Sequence, residues 1–304
     1  MNGSSARLVR IVVGIAWLLI SSLTIADDER LKPFVLAATS TDEMANVVSS
    51  TRAKIGTAGF DVIGDFSPYD GAHVFVVTSD ELQAVAAKTE FGQFGAILRV
   101  AVNRAEQDIQ VSFTNPVYIA NAYRLADDLQ SARDALEGAL GHVEDFGSKR
   151  GLKPKSLRKY HYTFGMEYFD DPYQLATFDS HQQAVDAVIN GLATNGIGLG
   201  EVYRIELGED ATMFGVSMRG IDEDAKYYDD AFQMSVVDFK EFKSSAYLPY
   251  EVLVTGDKVI AQHMRFRMAV HFPDLSMMGK HSFMTLMPSP DAIENALRTL
   301  VSAE

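Results

Sequence analysis

The alternation of hydrophobic and polar positions predicts a similar succession of elements in each half of the chain. The first half begins with a strand over Phe34 to Ala38, and a helix follows in which Met44, Val47, Val48 and Ile55 recur at helical spacing. Two strands, a short helix, a hairpin and an amphipathic helix come next; they are predicted over residues 60–66, 73–78, 79–88, 96–113 and 125–140.

The second half repeats this order. A strand, a helix, two strands, a hairpin and a final helix are predicted over residues 175–178, 180–192, 202–207, 212–218, 250–272 and 289–301. Val259 to Phe272 is predicted to be the second strand of that hairpin, and Pro273 ends it as Pro116 ends the hairpin of the first half.

Serine residues precede the helices that occupy equivalent places in the two halves. Ser40 with Glu43 and Ser180 with Gln183 match the capping-box pattern, and Ser79 is expected to cap the short helix. The two capping-box serines lie 140 residues apart. The pattern therefore predicts an α+β fold of two tandem copies, each with the order strand-helix-strand-strand-(helix)-strand-strand-helix.

Two stretches break the repeat. Lys149 to Lys159 holds six basic residues and no acidic one, which predicts a basic linker over residues 147–160 between copies at 27–146 and 161–304. A partner-binding segment is the alternative for this stretch. The second stretch is an insertion over residues 222–242, and its pattern leaves strand and helix open for Phe232 to Phe239.

The N-terminus predicts export. Arg7 and Arg10 precede the apolar run from Ile11 to Ile20, and Ala26 ends a pattern typical of a signal peptide over residues 1–26. An uncleaved anchor is the alternative, although the run is short for a membrane span. We therefore expect a periplasmic or secreted protein with no stable membrane span after cleavage. The chain has no cysteine and a net charge of -14, so neither disulfides nor nucleic-acid binding are expected.

The layout from Thr41 to Leu140 resembles the domain-of-unknown-function family DUF 302, whose fold is called TT1751-like. The resemblance rests on the first helix, on Gly59-Phe60 leading into a strand, on the helix after Ser79, and on the hairpin that ends at Asn115-Pro116. It implies a small α+β fold that pairs two copies, which here would form a pseudo-dimer within one chain. The family has no settled activity, so it implies no site residues.

Catalytic motifs are missing from the sequence. Gly215 to Arg219 lacks the second glycine of a nucleophile elbow, and there is neither a zinc-protease motif nor a cysteine nucleophile. An enzyme would need a pocket that brings His73, His161 or His181 to carboxylates. We therefore favour a non-catalytic protein and keep an uncharacterised enzyme as an alternative.

Val259 to Met287 is the stretch richest in candidate chemistry, because it holds three of the seven histidines and six of the twelve methionines. On a strand, alternate residues share a face. A basic face is therefore predicted as a binding site for a small anion, or for a protein partner; it comprises His263, Arg265, Arg267 and His271. The alternative is that the arginines pair with carboxylates such as Glu251.

The following segment contains methionine and histidine side chains that could bind a metal ion. If residues 276–287 are helical, one face holds a candidate site for copper, formed by Met277, Met278, His281 and Met284. A methionine stripe that fills the core is the alternative. The sequence thus predicts an exported binding protein of unknown ligand, with copper handling as an alternative function, no other cofactor expected, and self-association left open.

Overall fold

The computed structural model describes residues 29–302 except 107, 195 and 224. The predicted signal peptide lies outside these residues. The strands are β1 Phe34–Ser40, β2 Asp61–Phe66, β3 Ala72–Thr78, β4 Leu98–Ala105, β5 Asp108–Thr114, β6 Glu144–Phe146, β7 Tyr173–Thr177, β8 Leu199–Glu206, β9 Ala211–Met218, β10 Tyr250–Thr255 and β11 Lys258–Ala261. The helices are α1 Met44–Thr57, α2 Asp80–Ala86, α3 Pro116–Ala122, α4 Gln130–Leu140, α5 Pro154–Leu157, α6 His181–Thr194, α7 Asp230–Val237, α8 Met264–His271 and α9 Ser289–Ser302.

The strands form two antiparallel sheets, so the predicted mixture of helices and strands is confirmed. The first sheet has the order β2-β3-β4-β5-β1-β6, and the second has the order β8-β9-β10-β11-β7 when read from the corresponding edge. In both sheets the first strand of the half lies beside the last strand of its hairpin. After that first strand, the connection through α1 or α6 carries the chain to the edge of the sheet where β2 or β8 lies.

Helices cover the outer faces of the sheets. Helices α1 and α4 contact each other and the first sheet, and α6 and α9 do the same for the second. The apolar face of α9 is buried as its periodicity predicts, with Ile293, Leu297 and Leu300 fully inaccessible. The inner faces of the two sheets pack against each other, as the pairing of Arg99 of β4 with Glu251 of β10 shows. The layers therefore run helix, sheet, sheet, helix.

Helix capping follows the prediction in two places and departs from it in one. The Ser79 side chain accepts a hydrogen bond from the Leu82 amide at 3.3 Å, and Ser180 accepts one from the Gln183 amide at 3.3 Å. The predicted box at Ser40 is wrong, because β1 continues through Ser40 and residue Glu43 occupies the N-cap of α1.

In each half, a short helix that was not predicted follows the last hairpin strand. Helix α3 starts at Pro116, and the Asn115 side chain accepts from the amides of Val117 and Tyr118 at 3.1 and 3.4 Å. Helix α8 replaces most of the strand predicted over 259–272, which is therefore wrong beyond Ala261. The insertion, whose conformation was open, contains helix α7.

The basic stretch between the halves is packed against the first half. Leu152 and Leu31 form a β-bridge, and Leu157 of α5 is fully buried. The Arg158 guanidinium donates to the carbonyl of Leu125 at 3.1 Å. The chain therefore crosses from one half to the other along a fixed path.

Candidate functional site

The four basic residues predicted to share one strand face do not share a face. They lie at the start of and within helix α8, so their spacing follows a helical period rather than a period of two. Arg267 and His271 are one turn apart and fully buried, whereas the Arg265 side chain is 41% exposed. The predicted basic anion site is therefore divided into a buried part and a surface part.

The buried part is held between the two sheets. Arg267 lies between the rings of Tyr247 and Tyr250, with its Cζ atom 4.0 and 4.6 Å from their centroids. Its Nε atom is 3.3 Å from Glu251 Oε2, and the other Glu251 oxygen accepts from Arg99. The carboxylate pairing considered for Arg267 is thus the arrangement that the structure contains.

His271 completes this buried cluster as a neutral group. Burial, reinforced by the charges of Arg267 and Arg99, lowers its pKa well below the ordinary value. Its Nδ1 atom lies 2.8 Å from the Arg267 carbonyl oxygen, so Nδ1 carries the proton and donates. Neither Arg267 nor His271 is accessible to a ligand from solvent.

The surface part is a compact charge pair at the N-terminus of α8. Glu167 Oε1 lies 2.9 Å from Arg265 Nη1 and 3.2 Å from His263 Nε2. The His263 Nδ1 atom accepts from the Arg265 amide at 3.3 Å and caps the helix. Burial lowers the pKa of His263, which leaves a neutral ring that donates through Nε2 to Glu167. Arg265 therefore remains as the one strong cation of this group.

Residues 276–287 do not form the helix that would align the predicted copper ligands. The segment consists of turns and bends, with an isolated bridge between Ser276 and Ser282. The His281 ring stacks on Phe239 at 4.3 Å, and its Nδ1 atom lies 2.9 Å from the Val236 carbonyl oxygen. Met278 is 79% exposed. Only two of the four predicted ligands, Met277 and Met284, lie in one cavity.

That cavity is an apolar groove with a volume of about 370 Å³, called here the methionine groove. Five methionines line it: Met166, Met264, Met277, Met284 and Met287. The remaining lining residues are Tyr162, Gly165, Arg265, Phe283, Leu286 and Pro290. Three of the methionines stay accessible to solvent, since Met277, Met284 and Met287 are 48%, 51% and 63% exposed.

Three separate parts of the chain build the groove. Residues 162–166 form one wall, where the Tyr162 ring packs on Phe283 at 4.3 Å and the Tyr162 hydroxyl donates to the sulfur of Met277. The start of α8 supplies Met264 and Arg265, and residues 277–290 form the opposite wall. The groove thus combines residues from both predicted candidate groups, although neither group lies there whole.

Several groove residues were missed in the sequence. Tyr162 and Met166 lie about a hundred residues before the other wall, and no periodic pattern connects them with it. Met264 falls within the strand predicted over residues 259–272, on the face opposite His263 and Arg265. Besides the basic row that contains Arg265, the high methionine content of residues 264–287 was the sequence feature that indicated a binding surface.

Groups that could support other chemistry are engaged elsewhere. Glu137, His142 and Asp145 lie close enough together to hold a metal ion, but Arg133 already pairs with Glu137 and Asp145 at 2.8 Å each. Among the histidines considered for catalysis, His73 does meet a carboxylate, 3.3 Å from Asp65, but that carboxylate also pairs with Arg52. His181 and His161 instead contact Gly256 and Thr163 carbonyl oxygens at 3.0 and 2.9 Å.

Comparison with known proteins adds no identification. No family model matches this chain, and no curated protein or solved structure is significantly similar to it. Among the helices within residues 29–302, none combines the length and the apolar character needed to cross a membrane.

Proposed function

We propose that this protein is a non-catalytic binding protein whose ligand has an apolar body that lies in the methionine groove. The observation that carries this proposal is the gathering of five methionines around one accessible cavity of about 370 Å³. Ligand pockets of roughly 300–1,000 Å³ with mostly apolar walls are typical of small-molecule sites. Methionine side chains are flexible and polarizable, so they adapt to apolar ligands of different shape.

Arg265 provides a polar anchor at the edge of the groove. Its guanidinium uses Nη1 for Glu167, and the partly exposed side chain has further donors that can reach a ligand. An anionic head group would therefore bind beside Arg265 while an alkyl or aromatic body covers the methionines. The proposed ligand class is an amphipathic monoanion, which retains the predicted small-anion binding but moves it from the buried Arg267 to the surface Arg265.

Isothermal titration with decanoate and decanol tests this proposal. We expect both to bind wild-type protein, with decanoate tighter. Arg265→Gln should weaken decanoate about tenfold, as expected for the loss of a charge-assisted hydrogen bond, and leave decanol unchanged. Met277→Glu/Met284→Glu should abolish binding of both, because the groove would then hold two carboxylates in an apolar setting.

Met278→Glu is the matched control, since Met278 is next to the groove in sequence but is 79% exposed and does not line it. This variant should bind decanoate normally. Equal loss of binding in the Met278 and Met277/Met284 variants, or no binding of either probe to wild type, would contradict the proposal.

Copper(I) binding is the second candidate function, and the same five thioethers favour it. Thioether sulfur is a soft ligand that suits Cu(I), and the described lining of the groove contains no imidazole. Any such site would therefore be methionine-based, without His281.

Replacing thioethers by leucine separates the two candidates, because Leu and Met have similar volumes and both are apolar. The triple variant Met277→Leu/Met284→Leu/Met287→Leu should keep decanoate binding. Cu(I) competition against bicinchoninate should show binding to wild type and none to this variant if the groove holds copper. If wild type and variant compete equally for Cu(I), the groove methionines do not bind copper and this function is ruled out.

We also propose that the halves are tandem copies that form a pseudo-dimer of the DUF 302 type, and that the chain is exported. Equivalent strand orders in the two sheets support the duplication. The apolar run after Arg7 and Arg10 supports export. Trp17 is the only tryptophan, so protein recovered from a periplasmic fraction should lack indole fluorescence. Indole emission from that protein would indicate an uncleaved N-terminus.

A further inference from the structure

A second cavity, distinct from the methionine groove, lies where the two halves meet. It has a volume of about 270 Å³ and is called here the inter-half cavity. The first half supplies the turn at Tyr69 to Gly71 and the end of β4, and the second half supplies α7 and the loop after it. Neither half alone would enclose this space.

One wall of the cavity is a connected set of polar side chains. Asn103 is 2% exposed, and its Oδ1 atom accepts from the fully buried Ser245 hydroxyl at 2.7 Å. The Asn103 Nδ2 group has no hydrogen-bond partner among the described residues. Tyr69 lines the same cavity beside Ser245, and burial together with the charge of Asp238 raises its pKa, so the phenol stays protonated. The wall therefore contains donors that are fixed in place.

The charged groups of the lining are balanced in sign. Asp238 accepts from the Ser244 amide at 2.8 Å through Oδ1, and burial raises its pKa to about 6, so it is mostly ionised at pH 7. Lys243 Nζ donates to the Lys240 carbonyl at 2.9 Å. Arg104 is exposed, its guanidinium forms no ion pair with a described residue, and Asp70 lies at the same rim.

Helix α7 adds an apolar patch between these charges. Ala231, Met234 and Ser235 are spaced so that they lie on one face of the helix, and all three line the cavity. A ligand with one charge would meet a like charge on the lining, whereas a ligand with both charges can satisfy both signs.

From this arrangement we infer that the inter-half cavity binds a small zwitterion of the α-amino acid class. The ammonium group pairs with Asp238, the carboxylate pairs with Arg104, and the side chain lies against Ala231 and Met234. The volume is slightly below the range of about 300–1,000 Å³ that suits drug-sized molecules, which favours a ligand as small as a single amino acid. This binding is independent of the proposed function of the methionine groove.

Isothermal titration of the full exported chain tests the inference with L-leucine, L-lysine and L-glutamate. Each is compared with its amide, which lacks the carboxylate, and with its N-acetyl derivative, which lacks the ammonium group. We expect at least one free amino acid to bind and both of its derivatives to bind about tenfold or more weakly. No binding of any of the three at up to about 10 mM, or equal binding of the derivatives, would overturn the inference.

Two variants test which lining residue binds each charged group of the amino acid. Arg104→Gln should weaken the free amino acid to the affinity of its amide without affecting the fold, because the Arg104 side chain is exposed and supports no described partner. Asp238→Asn keeps an oxygen that can accept from Ser244 and should weaken the amino acid to the affinity of its N-acetyl derivative.

Lys258→Gln is the matched control, because it removes an exposed cation at the start of β11, away from the cavity lining. This variant and the groove variant Met284→Leu should bind the amino acid as wild type does. If Arg104→Gln binds as tightly as Lys258→Gln, the inference is wrong.

Discussion

Three charged side chains meet between the sheets with almost no access to water. Glu251 lies between Arg99 and Arg267, and all three are at most 1% exposed. Burial of charged groups is costly, and the pKa of Arg99 falls to about 10 because of burial and the neighbouring Arg267 charge. The shared carboxylate offsets part of this cost, so we expect the protein to tolerate loss of all three charges better than loss of the central one.

Glu251→Ala should therefore be strongly destabilising. We expect a loss of about 3–5 kcal/mol in the free energy of unfolding, because two buried cations would remain without their carboxylate. The triple replacement Arg99→Met/Glu251→Leu/Arg267→Met should recover most of this loss. Urea denaturation followed by circular dichroism measures both variants. If Glu251→Ala is as stable as wild type, the buried arginines do not depend on the Glu251 carboxylate.

Asp230 predicts a pH dependence of stability. Its side chain accepts from the Met218 amide at 2.9 Å, and burial raises its pKa from 3.8 to about 7. The folded protein therefore keeps a proton that the unfolded chain releases between these values. The contribution to stability is complete below pH 4 and falls by up to about 1.4 kcal/mol per unit as pH rises towards 7.

Asp230→Asn should remove this contribution, since the amide does not titrate. Urea denaturation of both proteins from pH 4 to pH 8 measures this effect. The unfolding free energy of the variant minus that of wild type should be larger at pH 8 than at pH 4. The comparison isolates Asp230 because Asp238, whose pKa is also raised, is present in both proteins. If the unfolding free energies of the two proteins change with pH in parallel, Asp230 does not retain a proton in the folded state.

At the scale of the elements, helix packing depends on one close approach. A Cβ atom added at Gly191 of α6 would lie 1.9 Å from the Leu300 carbonyl oxygen of α9. A glycine at this position therefore lets the two outer helices of the second half touch through their backbones. Gly138 in α4 has no neighbour within 4 Å of such an atom.

The two glycines should respond oppositely to alanine. Gly191→Ala should destabilise the protein by about 2 kcal/mol or more, because one helix backbone must move away from the other. Gly138→Ala should stabilise it by about 0.5–1 kcal/mol through helix propensity alone. Thermal unfolding of both variants provides the test, and the same sign of change at both sites would contradict the packing explanation.

The elements were predictable where one local pattern decides them. The helical periodicity of α1, α6 and α9 is visible in the sequence because each helix buries one face. Strands β3 and β9 are buried at nearly every position, and short apolar runs predict them instead. Helices α3 and α8 are short and largely buried on all sides, so neither shows the single apolar stripe of a surface helix. In α8 the alternation of Arg265 and Arg267 with apolar residues matched a strand instead. For α3, the Asn115-Pro116 pair was nevertheless a usable start pattern.

At the scale of the whole molecule, the described residues form two buried clusters, and each contains residues of both halves. Phe34, Leu36, Val74 and Ala101 of the first half belong to the same buried cluster as the strands and helices of the second. Tyr118 of α3 also donates to the Val270 carbonyl of α8. Separation of the halves would therefore expose apolar surface and the charged triad together.

Neither half should fold stably alone. We expect residues 27–146 and 147–304, expressed separately, to show reduced near-ultraviolet circular dichroism and to aggregate, because each would expose its inner sheet face. Co-expression should give a complex that elutes as one species with the ellipticity of the intact chain. Two monomeric, cooperatively unfolding halves would show that the cores are independent.

The sequence by itself determined the mixed α and β composition, most helices and strands, and the segment richest in soft side chains, because these depend on neighbours within a few positions. Only the tertiary structure decided which candidate residues are accessible. It buried Arg267 and His271 against Glu251 and left Arg265 at a groove. Contacts between residues a hundred positions apart, such as Tyr162 with Phe283, depend on how whole elements pack, and local periodicity carries no record of that packing.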